Sequence, residues 1–155
     1  MVLNIHSDAS YLSETRARSR LSGFFFLGRK SNPTKTIVLN GALYIMCGIF
    51  KFVVASAAEA ELGALFLNCK EGIIVRLTLQ EMGHPQPATP IHCDNMPATG
   101  IAKDTIKKQR SRSMEMRFSW VTDQVKMASW TYNGIHTKKT LLIIQASTMI
   151  ASTTK

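Results

Sequence analysis

Acidic residues are scarce in this 155-residue chain. Ten Asp and Glu stand against 19 Lys and Arg, a net charge of +9, and no acid occurs past Trp130. An excess of positive charge points to a polyanionic partner, most often nucleic acid, the plain alternative being a basic protein with no specific polyanion. Cysteine is equally sparse: Cys47, Cys69 and Cys93 form no C-x-x-C pair. That excludes a disulfide framework or a cysteine zinc site and reads as reduced, intracellular thiols packed as small apolar groups. No long apolar run is uninterrupted. "GALYIMCGIFKFVVASAA" carries Lys51 near its middle, a charge that a membrane-spanning helix would have to bury. The N-terminus turns polar by His6, Ser7 and Asp8, which leaves no apolar signal-peptide core. These absences predict an intracellular protein, cytoplasmic or nuclear, with no membrane partner.

An apolar fraction of 45% allows a packed core, and the length suits one domain. Residues 2–8 read as a strand, "RARSR" as a charged turn, and "LSGFFFLG" as a second strand. "KSNPTK" is a loop, and "TIVLNGALYIM" is one strand or two around Asn40-Gly41, a hairpin dipeptide. From Ser56 the period becomes helical, with Leu62, Leu65, Phe66 and Cys69 on one face. Ser56 is a good N-cap, Glu59 completes a capping box, and Gly83 is a plausible stop. "HPQPATP" is a linker, "IHCDN" a short strand, "MPATGIAKD" a short helix and "SMEMRFSWVTDQV" an amphipathic helix. Three strands, a helix, a strand and further helices predict an α/β domain with a mixed sheet flanked by helices.

Within that order, Asp8 ends one apolar strand and Asp94 ends another. Each is a common turn residue in its own right. Glu61 lies in the first turns of the long helix. If the two strands are neighbours, the three carboxylates can converge, and such oxygen clusters suit Mg²⁺ or Mn²⁺. Two such ions can flank a phosphodiester.

The blocks that carry these acids resemble a known family. "HSDASY", "SAAEAELGAL" and "IHCDNMPATGIAKD" are similar to the ribonuclease H segment of copia-type LTR-retrotransposon polyproteins, which follows the reverse transcriptase. That family carries S-D-A, then S-S-T-E-A-E-Y, then C-D-N-x-x-A, then a basic K-H-I-D-I-R helix. Here they correspond to Ser7-Asp8-Ala9, Ser56 to Leu62, Cys93-Asp94-Asn95 with Ala98, and Arg112 to Arg117. The resemblance spans residues 3 to 126. It implies a ribonuclease H-like α/β fold, hydrolysis of the RNA strand of an RNA–DNA hybrid, and Mg²⁺ or Mn²⁺ held by Asp8, Glu61 and Asp94. A reverse transcriptase domain is then a possible companion. Glu61, before Leu62-Gly63-Ala64, matches the ligand position. Glu59 is two residues away, about 200° round a helix, and keeps its capping role.

The remaining residues carry lesser readings. His6 and His92 each sit two residues before an aspartate, on the same strand face, and imidazole is a poor Mg²⁺ ligand. Both suit packing or supporting roles. In "KDTIKKQRSRS", Lys107, Lys108, Arg110 and Arg112 are candidate phosphate contacts, against a solvated loop as the bland reading. Ser111 and Ser113 are candidate caps for the next helix, and Glu115 is favourable near its N-terminus. Phe118 and Trp120 are expected to pack rather than stack on bases. An integrase-type core shares the fold but needs a further acid at a spacing that Asp104, Glu115 and Asp123 do not supply. A non-catalytic relic that only binds nucleic acid is the other rival.

The resemblance fails at the end of the chain. The family carries a fourth carboxylate in a W-x-P-G-x-x-N-L-A-D-Y-like ending, whereas this chain has "TYNGIHTKKTLLIIQASTMIASTTK". Read two bases on, the Asn133-Gly134 codons allow Trp. Those that follow allow His, Pro, His or Tyr, Lys, Glu and Asn. Leu141, Leu142 and the two isoleucines allow Leu-Ala-Asp-Tyr, the Asp overlapping the codons of Leu142 and Ile143. Gln145 to Ile150 allow Ser-Ser-Lys-His-His-Asp if Ser147 uses an AGY codon. A frameshift near Asn133 is therefore expected, dividing the chain into a ribonuclease H-like domain at 1–131 and an aberrant, poorly packed tail at 132–155. The metal site would be incomplete and activity impaired.

Overall fold

The structure is a computed structural model that describes residues 1–29, 40–93, 112–127 and 129–134, the side chains of 112–115, 118 and 132–134 excepted. Among these residues the chain runs β1 (Val2–Glu14), a 3-10 turn (Thr15–Ala17), β2 (Arg18–Gly28), β3 (Ala42–Ile49), α1 (Ala57–Glu81), β4 (Thr89–Cys93), α2 (Arg112–Lys126) and β5 (Trp130–Gly134). The sheet order is β3-β2-β1-β4-β5. β1, β2 and β3 are antiparallel neighbours, while β4 lies parallel to β1 and β5 parallel to β4. The mixed sheet predicted from the alternation of elements is present.

β1 is central, so it is buried on both faces from Leu3 to Asp8. Leu3 and Ile5 enter the main core with Phe25, Ile91 and Trp130. Both helices pack on that face: α1 through Leu62, Leu65 and Cys69, and α2 through Val121. Burying a Leu of this kind contributes about 1.5–3 kcal/mol. Phe66 and Trp120 meet edge to face at the helix–helix contact, their ring centroids 5.2 Å apart. Trp120 thus packs, as expected; the side chain of Phe118 lies outside the described residues.

The ends of α1 follow their local chemistry. Ser56 is the N-cap and its Oγ accepts from the Glu59 amide at 3.1 Å. The Glu59 carboxylate reaches back to accept from the Ala55 amide at 2.7 Å, one residue short of a standard capping box. At the other end Gly83 has φ +81°, the left-handed conformation that glycine adopts without strain. Its amide donates to the Gln80 carbonyl, and the His84 amide donates to the Leu79 carbonyl, which satisfies two carbonyls at the helix end.

Three sequence expectations shift. β1 continues past Asp8 to Glu14, and of "RARSR" only Arg16 and Ala17 lie in the turn, since β2 begins at Arg18. The polar Ser10–Glu14 stretch lacks a strand pattern, yet its backbone pairs with β2 through a register shift, and Glu14 bonds Arg20 at 2.6 Å. β4 starts at Thr89 and takes in Pro90, tolerated near a strand's start. β5 runs across residues 131 and 132, the backbones of Tyr132, Asn133 and Gly134 pairing with Ile91, His92 and Cys93, and the rest of the expected tail lies outside the described residues. Backbone bonds do not depend on side-chain identity. The expected 30–35 loop and the short helix at 96–104 lie outside the described residues. No described helix is long and apolar enough to cross a membrane.

α1 lies close on the sheet at Gly72, where a Cβ would sit 2.7 Å from Ile5 Cδ1 and 2.8 Å from a Trp130 ring carbon. Gly72→Ala gains up to about 1 kcal/mol of helix propensity. Overpacking against two fully buried side chains costs about 1–3 kcal/mol. The expected net is a destabilisation of about 1 kcal/mol in urea unfolding; a variant more stable than wild type would show that the helix simply lifts.

Candidate active site

The parallel pairing of Ile5 with Ile91 and His6 with His92 makes β1 and β4 run toward the same edge of the sheet. Asp8 lies two residues beyond His6 on β1, and Cys93 closes β4. The start of α1 comes down beside them. Glu61 Oε1 accepts a hydrogen bond from the Ala9 amide at 3.3 Å, and Cys93 Sγ donates to Glu61 Oε2 at 3.8 Å. Asp8 and Glu61 are 7% and 6% exposed. The helix is pinned two turns further on. Asn68 donates from Nδ2 to Ser7 Oγ and to the Ser22 carbonyl, both at 2.9 Å. Asn68 and Glu61 are seven residues apart, so this anchor fixes the face that presents Glu61.

Two of the expected carboxylates therefore belong to one stretch of β1, Asp8 within the strand and Glu61 bonded to the next residue of it. Glu59 is taken up by the cap, as its position on the helix predicted. Asp94, the third, lies outside the described residues. So do Lys107, Lys108, Arg110 and Ser111. Arg112 opens α2, but its side chain and those of Ser113 and Glu115 are outside as well. Among the described residues no three His, Cys, Asp or Glu side chains converge as a metal centre. The two carboxylates in place offer hard oxygen donors, the chemistry of Mg²⁺ or Mn²⁺. Sequence reasoning missed the contacts of Cys93 and Asn68 because both join residues distant in sequence.

The histidines are elsewhere in the same layer. His6 and His92 stack on the face opposite the helices, ring centroids 4.8 Å apart and planes at 28°. Phe26 lies 5.6 Å from His6, and His92 Nε2 is 3.4 Å from Asn4 Oδ1. Burial lowers the His6 pKa to about 4. Burial, and secondarily repulsion from His6, lowers that of His92 to about 3. Both are therefore neutral at pH 7 and pack as aromatic rings, the role expected of them.

No protein-family model matches the chain. Its sequence is 25% identical over 124 residues to the retrovirus-related Pol polyprotein from transposon TNT 1-94 of Nicotiana tabacum, a match covering 80% of this chain and 9% of that polyprotein. Similar solved structures include LC11-RNase H1 in complex with an RNA/DNA hybrid, with TM-score 0.60, 10% identity and coverage of 88% of this chain and 87% of that one. The N-terminal ribonuclease H domain of a Mycobacterium tuberculosis protein gives TM-score 0.61, 8% identity and 90% coverage of both chains. Ribonuclease H1 of Halobacterium salinarum gives 0.57, 9% identity and coverage of 87% and 86%. The chain has the ribonuclease H fold. In sequence this ribonuclease H-like domain resembles a segment of a retrotransposon polyprotein.

The buried histidine pair makes stability depend on pH. Below about pH 6.5 the unfolded chain binds protons on His6 and His92 that the folded domain refuses. Stability therefore falls as pH drops from about 6.5 toward the folded values, by up to about 1.4 kcal/mol per pH unit for each histidine. Above about pH 6.5 both states are neutral and the dependence vanishes. Urea midpoints between pH 7 and 5 should show this slope, reduced in His6→Gln; an unchanged slope in that variant would mean His6 protonates freely in the fold.

Proposed function

We propose that this domain hydrolyses the RNA strand of RNA–DNA hybrids in a divalent-metal-dependent reaction belonging to retrotransposon reverse transcription, and that the reaction is impaired in this chain. The observation that carries the reading is the placement of Asp8 on a central strand with Glu61 tied to the adjacent Ala9 amide. The crystallised hybrid complex of a fold neighbour supports the same class of ligand. Asp8, Glu61 and Asp94 are the proposed ligands of Mg²⁺ or Mn²⁺, which when bound supplies an activated water and stabilises the leaving oxygen. The protein's own contribution is rigidity. Glu61 is held by a strand amide, and the helix that carries it is locked by Asn68.

Lys107, Lys108, Arg110 and Arg112 are the proposed phosphate contacts, which predicts binding that weakens with salt. Selectivity comes from hybrid shape and the 2′-hydroxyl rather than base sequence. The matched segment is a small part of the polyprotein relative, so a reverse transcriptase domain is a proposed partner. The setting is intracellular, cytoplasm or nucleus.

Impairment rests on the absence of any acid past Trp130. We infer a frameshift near Asn133. Its consequence is a fourth carboxylate missing from the chain. A catalytically dead relic that only binds nucleic acid is the reading this absence favours if the remaining carboxylates prove insufficient.

Cleavage and binding should be measured side by side on a labelled hybrid with Mg²⁺ and with Mn²⁺. Weak, metal-dependent cleavage is expected, and Asp8→Asn or Glu61→Gln should lower it by about a hundredfold or more while leaving the circular dichroism spectrum intact. Cleavage at wild-type rate by either variant would refute the assignment, and binding without cleavage by the unmodified chain would establish the relic. The encoding DNA provides an independent check on the tail: the frame shifted by two bases from Asn133 should read through a Leu-Ala-Asp-Tyr run, and its absence ends the frameshift idea.

A further inference from the structure

By composition and spacing Cys93 is a packed apolar thiol. Its position says more. Cys93 is 1% exposed, and its Sγ lies 3.8 Å from Glu61 Oε2, while the Ala9 amide bonds Oε1 of the same carboxylate at 3.3 Å. The two donors come from β1 and β4, the parallel strands paired at Ile5–Ile91 and His6–His92. One helical carboxylate is thus held at both oxygens by the two central strands.

Taking Glu61 as a metal ligand, we propose that Cys93 is a positioning residue: its thiol orients the Glu61 carboxylate for a divalent cation without competing for it. The donor's weakness is what suits it. A lysine or arginine at this place would bring its own charge and satisfy the carboxylate in the cation's stead. An S–H group is a weak, uncharged donor. In a buried setting such a bond is electrostatically stronger than in water. Groups that orient metal ligands in this way commonly change metal affinity by about 10–100-fold when removed.

Packing and positioning predict opposite rankings of two variants. Cys93→Val preserves the apolar volume and removes the donor; Cys93→Ser preserves a donor and loses apolar character. Mn²⁺ binding, followed by loss of the free-ion electron paramagnetic resonance signal, should be about tenfold weaker in Cys93→Val, with recovery of much of that loss in Cys93→Ser. The reverse ranking, or equal affinity in all three proteins, overturns the proposal while leaving Glu61 as a ligand. If the unmodified chain binds no Mn²⁺, the ligand reading fails and the proposal falls with it. Infrared spectra separate the contact from the metal. The S–H band that disappears in Cys93→Val should move to higher frequency in Glu61→Gln, where the acceptor is weaker. A band that does not move shows that the thiol makes no bond to Glu61, and it too overturns the proposal.

Discussion

Two consecutive residue pairs, Ile5 with Ile91 and His6 with His92, join β1 to β4, and the arrangement of the domain follows from them. Parallel strands cannot be joined by a tight turn. The chain must leave β1, complete the β2–β3 antiparallel arm, and return along α1 before β4 can pair. That path buries both central strands. It also places Ala9 of β1, the end of β4 and the start of α1 together, although Glu61 lies 52 residues from Ala9 and 32 from Cys93 along the chain.

The return helix works only because it lies close on the sheet. Gly72 leaves no room for a Cβ beneath Ile5 and Trp130, and Gly23 leaves none beneath Asn68, whose Oδ1 would lie 2.0 Å from a Cβ there. Asn68 is fully buried and bonded to both β1 and β2. Burying an amide costs free energy unless it is bonded, so the contact favours one seating of the helix over its neighbours. Glu61 inherits its position from that seating.

The chain carries +9 overall, while Asp8, Glu59 and Glu61 are buried, Glu59 and Glu61 bonded by amides and Glu61 also by a thiol. The opposite face of the sheet uses two histidines as neutral rings rather than as charges. Burial, more than any partner, decides their state.

Local chemistry was legible in the sequence. Ser56 and Gly83 bound the long helix because a cap and a left-handed stop need only neighbouring residues. Glu59 could be separated from Glu61 because helix geometry puts them on different sides. The mixed α/β fold followed from the order of apolar periods. The continuation of β1 through Ser10–Glu14 was not legible, since its strand character comes from a partner strand and not from alternation. Nor were the bonds of Asn68 to Ser7 or of Cys93 to Glu61, which depend on the distance between α1 and the sheet. By itself the sequence determined the ends of α1, through interactions that span a few residues, and the candidate carboxylates were named through the family resemblance of the blocks that carry them. Only the tertiary structure decided which strand ends meet, which histidines stay neutral and which groups hold Glu61, because register, burial and helix seating are set by contacts between residues far apart in the chain.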